Sequence, residues 1–209
     1  MHRRFLIRAA LGALAASMFT LAGTRAAQAC ACCADDGARI ESADVLGPYE
    51  RTELGRIRFS GAARLHSTSG EPEDYAKGIR DPSDRYAITV LRKGDQWTMS
   101  LRDAAGKTGT LVFSTPRTAE RFFIDLHDGK QGGGGGPLLY KELRLRAPVS
   151  GSGIFEPGMA GGATARLVFQ GRGNVCTDAT QFTHWTLIVS GPKASFTLFG
   201  ALAAPAKGP

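Results

Sequence analysis

The sequence predicts an all-β fold: an antiparallel β-sandwich, with a β-barrel as the alternative, carrying long Gly/Pro-rich loops after an N-terminal signal segment. Three observations predict it. Apolar and polar residues alternate with a period of two in eight or nine short stretches. Glycine, 27 of the 209 residues, recurs between those stretches where turns are needed. No stretch repeats its apolar residues at helical spacing over several turns. The sandwich is favoured because the long connections suit crossovers between sheets better than simple up-and-down closure.

The first 29 residues read as a targeting segment. Met1-His2-Arg3-Arg4 is a basic start, Phe5 to Gly23 is an apolar run, and Ala27-Gln28-Ala29 offers the small-x-small pattern of a cleavage site. Arg3-Arg4-Phe5-Leu6-Ile7-Arg8, with Arg25 near the cleavage site, resembles the twin-arginine export signal. An ordinary secretory signal remains the alternative. The expected product is periplasmic or secreted from a bacterium.

Loss of that leader removes four arginines and no acid, so the balance falls from +7 to +3, with 22 bases against 19 acids. Such a mixed surface has no nucleic-acid footprint. The remaining length suits one domain with a sizeable core.

Residues 30–54 are polar and broken by Gly37, Gly47 and Pro48, which predicts an irregular lead-in. The β domain is expected over residues 55–202. Its first strand places Ile57, Phe59, Gly61, Ala63 and Leu65 on one face. Residues 67–84, with two prolines and two glycines, predict a polar connection.

Residues 85–116 read as a three-stranded meander. Tyr86, Ile88 and Val90 alternate, Lys93-Gly94-Asp95 turns the chain, Trp97, Met99 and Leu101 alternate, and a second turn at 104–107 leads into Thr110 to Phe113. Thr118 to His127 favours a strand over a short helix. The five glycines 132–136 predict a mobile loop tip, because ordering glycine is entropically costly. They lack the lysine and hydroxyl of a phosphate-cradling loop. Leu143, Leu145 and Ala147 predict a strand, and residues 148–162 a loop. Strands are then expected at 163–169, 182–189 and 194–199, with a fraying tail over 203–209.

The chemistry-bearing cluster is Cys30-Ala31-Cys32-Cys33-Ala34-Asp35-Asp36-Gly37, with a fourth cysteine at Cys176. In an oxidising compartment the first reading is structural, a bridge from Cys32 or Cys33 to Cys176. The sharper reading is a soft-metal site at Cys30, Cys32 and Cys33, since thiolates suit copper and zinc ions. The spacing is not that of a zinc finger. Lipid attachment at Cys30 and thiol exchange are further readings. Both fit less well, because the residues before Cys30 and the spacing of the thiols depart from those chemistries.

Asp125 and His127 share one side of a strand and form a candidate metal or acid–base pair. His66 and His184 read as exposed or locally bonded. Ser150-Gly151-Ser152-Gly153 has no Gly-x-Ser-x-Gly frame. Trp97 and Trp185 read as core anchors. These signs favour an exported, non-catalytic binding or accessory protein, holding a soft metal such as copper in its sharpest form. The rival is a disulfide-stabilised structural or interaction domain of the cell envelope, with an envelope protein as partner, or a lipoprotein anchored at Cys30. A hydrolase using His127 or His184 is the third class.

Overall fold

A computed structural model describes residues 32–204. The signal segment, Cys30 and the end of the tail lie outside these residues.

The fold is all-β, with twelve strands: β1 (Arg39–Val45), β2 (Arg58–Phe59), β3 (Ala62–Leu65), β4 (Ala76–Lys77), β5 (Arg85–Lys93), β6 (Gln96–Arg102), β7 (Thr108–Ser114), β8 (Thr118–Ile124), β9 (Leu139–Gly153), β10 (Ala163–Gly173), β11 (Phe182–Ser190) and β12 (Ser195–Ala203). Three short helices, α1 (Pro48–Arg56), α2 (Pro72–Tyr75) and α3 (Glu156–Met159), interrupt them.

Eight strands close an antiparallel barrel in the order β9, β10, β11, β12, β3, β5, β6, β7, the last returning to β9. This is the barrel alternative and not the favoured sandwich. The long connections do not cross between two sheets; they carry α2, α3 and the short strands β2 and β4, which pair with β12. Closure leaves no free edge within the ring.

The closing strand is β9. All of residues 139–149 pair with β10, while the opposite side is shared: Tyr140 to Arg144 pair with β8, and Val149 to Gly153 pair with β7. Pro148 falls in the interval between those two partners, where a residue without an N–H is tolerated. The expected loop over 148–162 therefore begins six residues late. Gly151 serves packing here: a Cβ on it would approach Leu111 and Phe155 at 3.1 and 3.2 Å.

The lead-in is also more regular than its composition suggests. Residues 39–45 form β1, paired along its whole length with β8. Residues 48–56 form α1, with Pro48 in its first turn and Glu50 accepting from the Gly47 N–H at 3.0 Å. Leu54 is its one buried apolar residue, too few for helical periodicity to be visible in the sequence.

The meander of β5, β6 and β7 forms as predicted, in continuous register. Thr118–Ile124 is a strand and not a helix. Inward-facing side chains fill the barrel. Trp97 and Trp185 are both fully buried, and Phe59 bridges them, with ring centroids 6.2 Å and 5.2 Å away. Phe169 completes the cluster, 6.1 Å from Trp97. Edge-to-face and tilted contacts of this kind add to the large apolar area each ring removes from water.

Because Phe169 has no exposed surface and rigid aromatic neighbours, truncation leaves a cavity that cannot collapse. Phe169→Ala is expected to cost about 3–5 kcal/mol, read as a lower urea midpoint at an unchanged slope.

Candidate functional site

One mouth of the barrel gathers Cys32 and Cys176 with the buried charges of Lys141 and Glu53. The loop after β10, residues 174–181, crosses this mouth and ends in a 3-10 turn (Ala179–Gln181). Cys176 in this loop is disulfide-bonded to Cys32, with Cα atoms 5.1 Å apart. The Val175 N–H also donates to the Cys32 carbonyl at 3.2 Å. The lead-in is thus sewn to the loop by one covalent and one backbone bond.

The loop is held from inside by Lys141, an inward-facing residue of β9 that is 1% exposed. Its ammonium donates to the carbonyls of Asn174 and Cys176 and to Gln181 Oε1, at 3.1 Å for the first and 2.8 Å for the last. It also lies 5.0 Å from the centre of the Phe182 ring. Gly173 leaves the space in which the Gln181 amide lies: a Cβ there would collide with Oε1. Burial pushes the Lys141 pKa down to about 8, opposed by Asp178 and assisted by Arg121.

The far end of the loop is held by α1. Glu53, buried, accepts from the Ala179 N–H at 2.9 Å and from Arg56 at 2.9 Å. Asp178 caps the 3-10 turn through the N–H and hydroxyl of Thr180. Lys141, Glu53 and Asp178 are thus each engaged in holding backbone of this loop.

The predicted cysteines divide. Cys32 is bridged to Cys176, so its sulfur is not a thiolate ligand in this oxidised form. Cys33 is half-buried, its Sγ 3.7 Å from the Gly134 carbonyl, which brings the glycine run against the lead-in. That run is a closed hairpin tip, the Gly132 N–H donating to Gly136 O at 2.8 Å. Among the described residues, no three His, Cys, Asp or Glu side chains are grouped to hold a metal ion.

Asp125 and His127 lie together, His127 Nδ1 3.9 Å from Asp125 Oδ2, with no third His, Cys, Asp or Glu grouped with them to hold a metal ion among the described residues. The Asp125 carboxylate is spent on two backbone donors, Gly37 N–H at 2.9 Å and His127 N–H at 2.8 Å. These hold its pKa below the usual carboxylate range. His127 has a positive φ of 51° and a side chain that is 72% exposed, with Nδ1 near the Asp125 carbonyl. The unit is a turn that anchors Gly37. His184 is exposed and locally bonded as expected, its Nδ1 2.9 Å from the Thr183 hydroxyl.

Two surface features remain. An open groove of about 440 Å³ lies between the end of α1 and β5, lined by residues including Ile57, Arg58, Val90 and Arg92. Arg92 is already committed there, stacked over Trp97 at 5.3 Å and donating to the Arg51 carbonyl. The outer face of β9 and its neighbours carries a polar ladder. Glu41 meets Arg144 (3.3 Å), Arg144 meets Glu142 (2.6 Å), Glu142 accepts from Tyr140 (2.6 Å), and Gln170 links Tyr140 to Thr186. Burial and the bond to Glu142 push the Tyr140 pKa up to about 12.

The chain matches no family model, no curated protein and no solved structure.

Lys141, Glu53 and Gln181 belong to no motif in the sequence. Lys141 was findable there: it stands in phase with Leu139, Leu143 and Leu145, the inward positions of β9.

Two outcomes follow from this mouth. Between pH 8 and 10.5 the unfolded chain binds more protons at Lys141 than the folded one, so stability rises with pH across that window. The stability difference between wild type and Lys141→Met is expected to grow by up to about 1.4 kcal/mol per pH unit there, and to be flat below pH 7. Denaturation at a series of pH values reads it. Cys176→Ser frees a loop spanning 144 residues and is expected to cost about 4–5 kcal/mol in the chain-entropy model, read against the oxidised parent.

Proposed function

We propose that the chain works outside the cytosol as a non-catalytic binding or interaction domain of the bacterial cell envelope, stabilised by its disulfide. The observation that carries this reading is the Cys32–Cys176 bridge. It joins the segment just after the leader to the loop that closes the barrel mouth, and such bonds persist in oxidising compartments. The basic, apolar and small-residue order of residues 1–29 supplies the export route.

The interior supports the same reading. Trp97, Trp185, Phe169 and their neighbours occupy the space that a carrier barrel of this size keeps for a ligand. The histidines of the described residues sit in turns or at exposed strand positions, and the carboxylates at the mouth hold backbone and charge partners. Recognition is left to the outer surface.

The soft-metal reading competes with the bridge for the same sulfur. A copper or zinc site drawing on Cys30, Cys32 and Cys33 requires Cys32 as a thiolate, which the bridge removes.

Peptide mapping of freshly isolated protein without reductant, paired with elemental analysis, separates the readings. The expected result is a Cys32–Cys176 linked peptide and metal content indifferent to a triple Cys→Ser change at 30, 32 and 33. Metal lost on that change, with Cys32 reduced, overturns the proposal in favour of the metal site. Folded, untrimmed and reduced protein in the cytoplasm overturns the export reading.

A further inference from the structure

We infer that β1 is a self-pairing edge, at which a second copy of this chain adds its own β1 antiparallel across a two-fold axis. Among the described residues, β1 pairs on one side only, with β8, and stands at the open end of the sheet beyond the closed ring. Six of its seven residues are exposed, including Ile40, 38% exposed, and Val45, 66% exposed.

The hydrogen bonds that bracket β1 show which backbone groups are spent. The Asp125 N–H donates to Ala38 O, and the Leu46 N–H to Arg117 O. In an antiparallel ladder, donors and acceptors of alternate residues point to the same side. Even-numbered residues of β1 therefore face β8, and Arg39, Glu41, Ala43 and Val45 direct their N–H and C=O groups outward. An edge of this kind is a template for another strand.

Charge selects the occupant and its register. A two-fold axis normal to the sheet pairs residues of one face, so one residue must lie opposite its own copy. Glu41 opposite itself sets two carboxylates together. Ser42 opposite itself sets Ile40 against Asp44, and Ala43 opposite itself sets Glu41 against Val45. Ile40 opposite itself sets Ile40 on Ile40, and Arg39 on Glu41 of the second copy, twice.

The fourth register completes what one copy leaves open. Arg39 lies over the Phe122 ring, 5.6 Å from its centre, and has no carboxylate partner among the described residues. Glu41 keeps a side chain that is 63% exposed and a single long contact to Arg144. Pairing continues the ladder of alternating charge, Glu142, Arg144, Glu41, into Arg39 of the second copy. Cross-strand charge pairs of this type stabilise and like pairs repel.

Sedimentation equilibrium of the oxidised protein tests the inference, with charge reversal and crosslinking as its arms. Wild type is expected to dimerise. Glu41→Arg is expected to raise the dissociation constant at least about tenfold, by removing two opposite-charge pairs and creating two like ones. Arg39→Glu combined with Glu41→Arg restores the pairing. Under oxidation Ile40→Cys is expected to give a reductant-sensitive covalent dimer, because its side chain meets its own copy, and Ser42→Cys is not. A monomer at all concentrations overturns the inference. So do a dimer indifferent to charge reversal and crosslinking through position 42 in place of position 40.

Discussion

The structure depends on one strand having three partners. β9 is long enough to hydrogen-bond β10 along most of its length and still divide its other side between β8 and β7. The pairing with β7 closes the ring and turns an open sheet into a barrel with an inside. The pairing with β8 projects a two-stranded ribbon out of that ring, with β1 at its rim. Without Val149 to Gly153 the barrel would open; without Tyr140 to Arg144 the ribbon would have nothing to stand on. The switch falls around Pro148, which pairs with Thr164 of β10 but has no partner on the side that β8 and β7 share, a place where a strand tolerates proline.

The same strand supplies the charge that organises the barrel mouth. An ammonium taken from water is costly, and burial shows its effect in the lowered pKa of Lys141. Three carbonyl oxygens and an aromatic face offset that cost, and all four belong to the segment 174–182. Lys141 therefore stabilises little by itself but fixes where the loop runs, and so where Cys176 stands to meet Cys32. The disulfide then acts on a geometry already set by hydrogen bonds. Its main effect is to restrict the unfolded chain.

Much of the fold was legible because one face of each strand is buried. The alternation Trp97, Met99, Leu101 reads at once, since the polar residues between them face water. Where both faces matter, the pattern fails. β1 is exposed on both sides and carries no alternation, and α1 buries only Leu54 beside an unexpected Glu53. The end of β9 was lost to its proline and glycines, which here serve a change of partner and close packing. The choice of barrel over sandwich turned on the pairing of β7 with β9, a contact between distant segments that no local pattern announces. The bridge was narrowed to Cys32 or Cys33 opposite Cys176 by compartment. The choice of Cys32 needed the backbone bond from Val175.

A filled, closed barrel leaves only what lies outside the ring to meet other molecules, and the ribbon of β1 and β8 is one such part. An exposed edge is a hazard, and proteins guard one with charge. Arg39, Glu41 and Asp44 place charges at three of the seven positions of β1, which penalises any uncharged or like-charged strand laid against it. The guard is not symmetric, however. Asp44 is paired within the copy to Arg121 and Ser42, and Glu41 is half satisfied by Arg144, whereas Arg39 has, among the described residues, only a ring beneath it. A guard that leaves one base uncompensated beside an acid two residues away excludes strangers while matching its own reversed sequence. On β1 the charges that prevent indiscriminate aggregation are the same ones that specify a partner, because in an antiparallel pair a strand meets its own order read backwards.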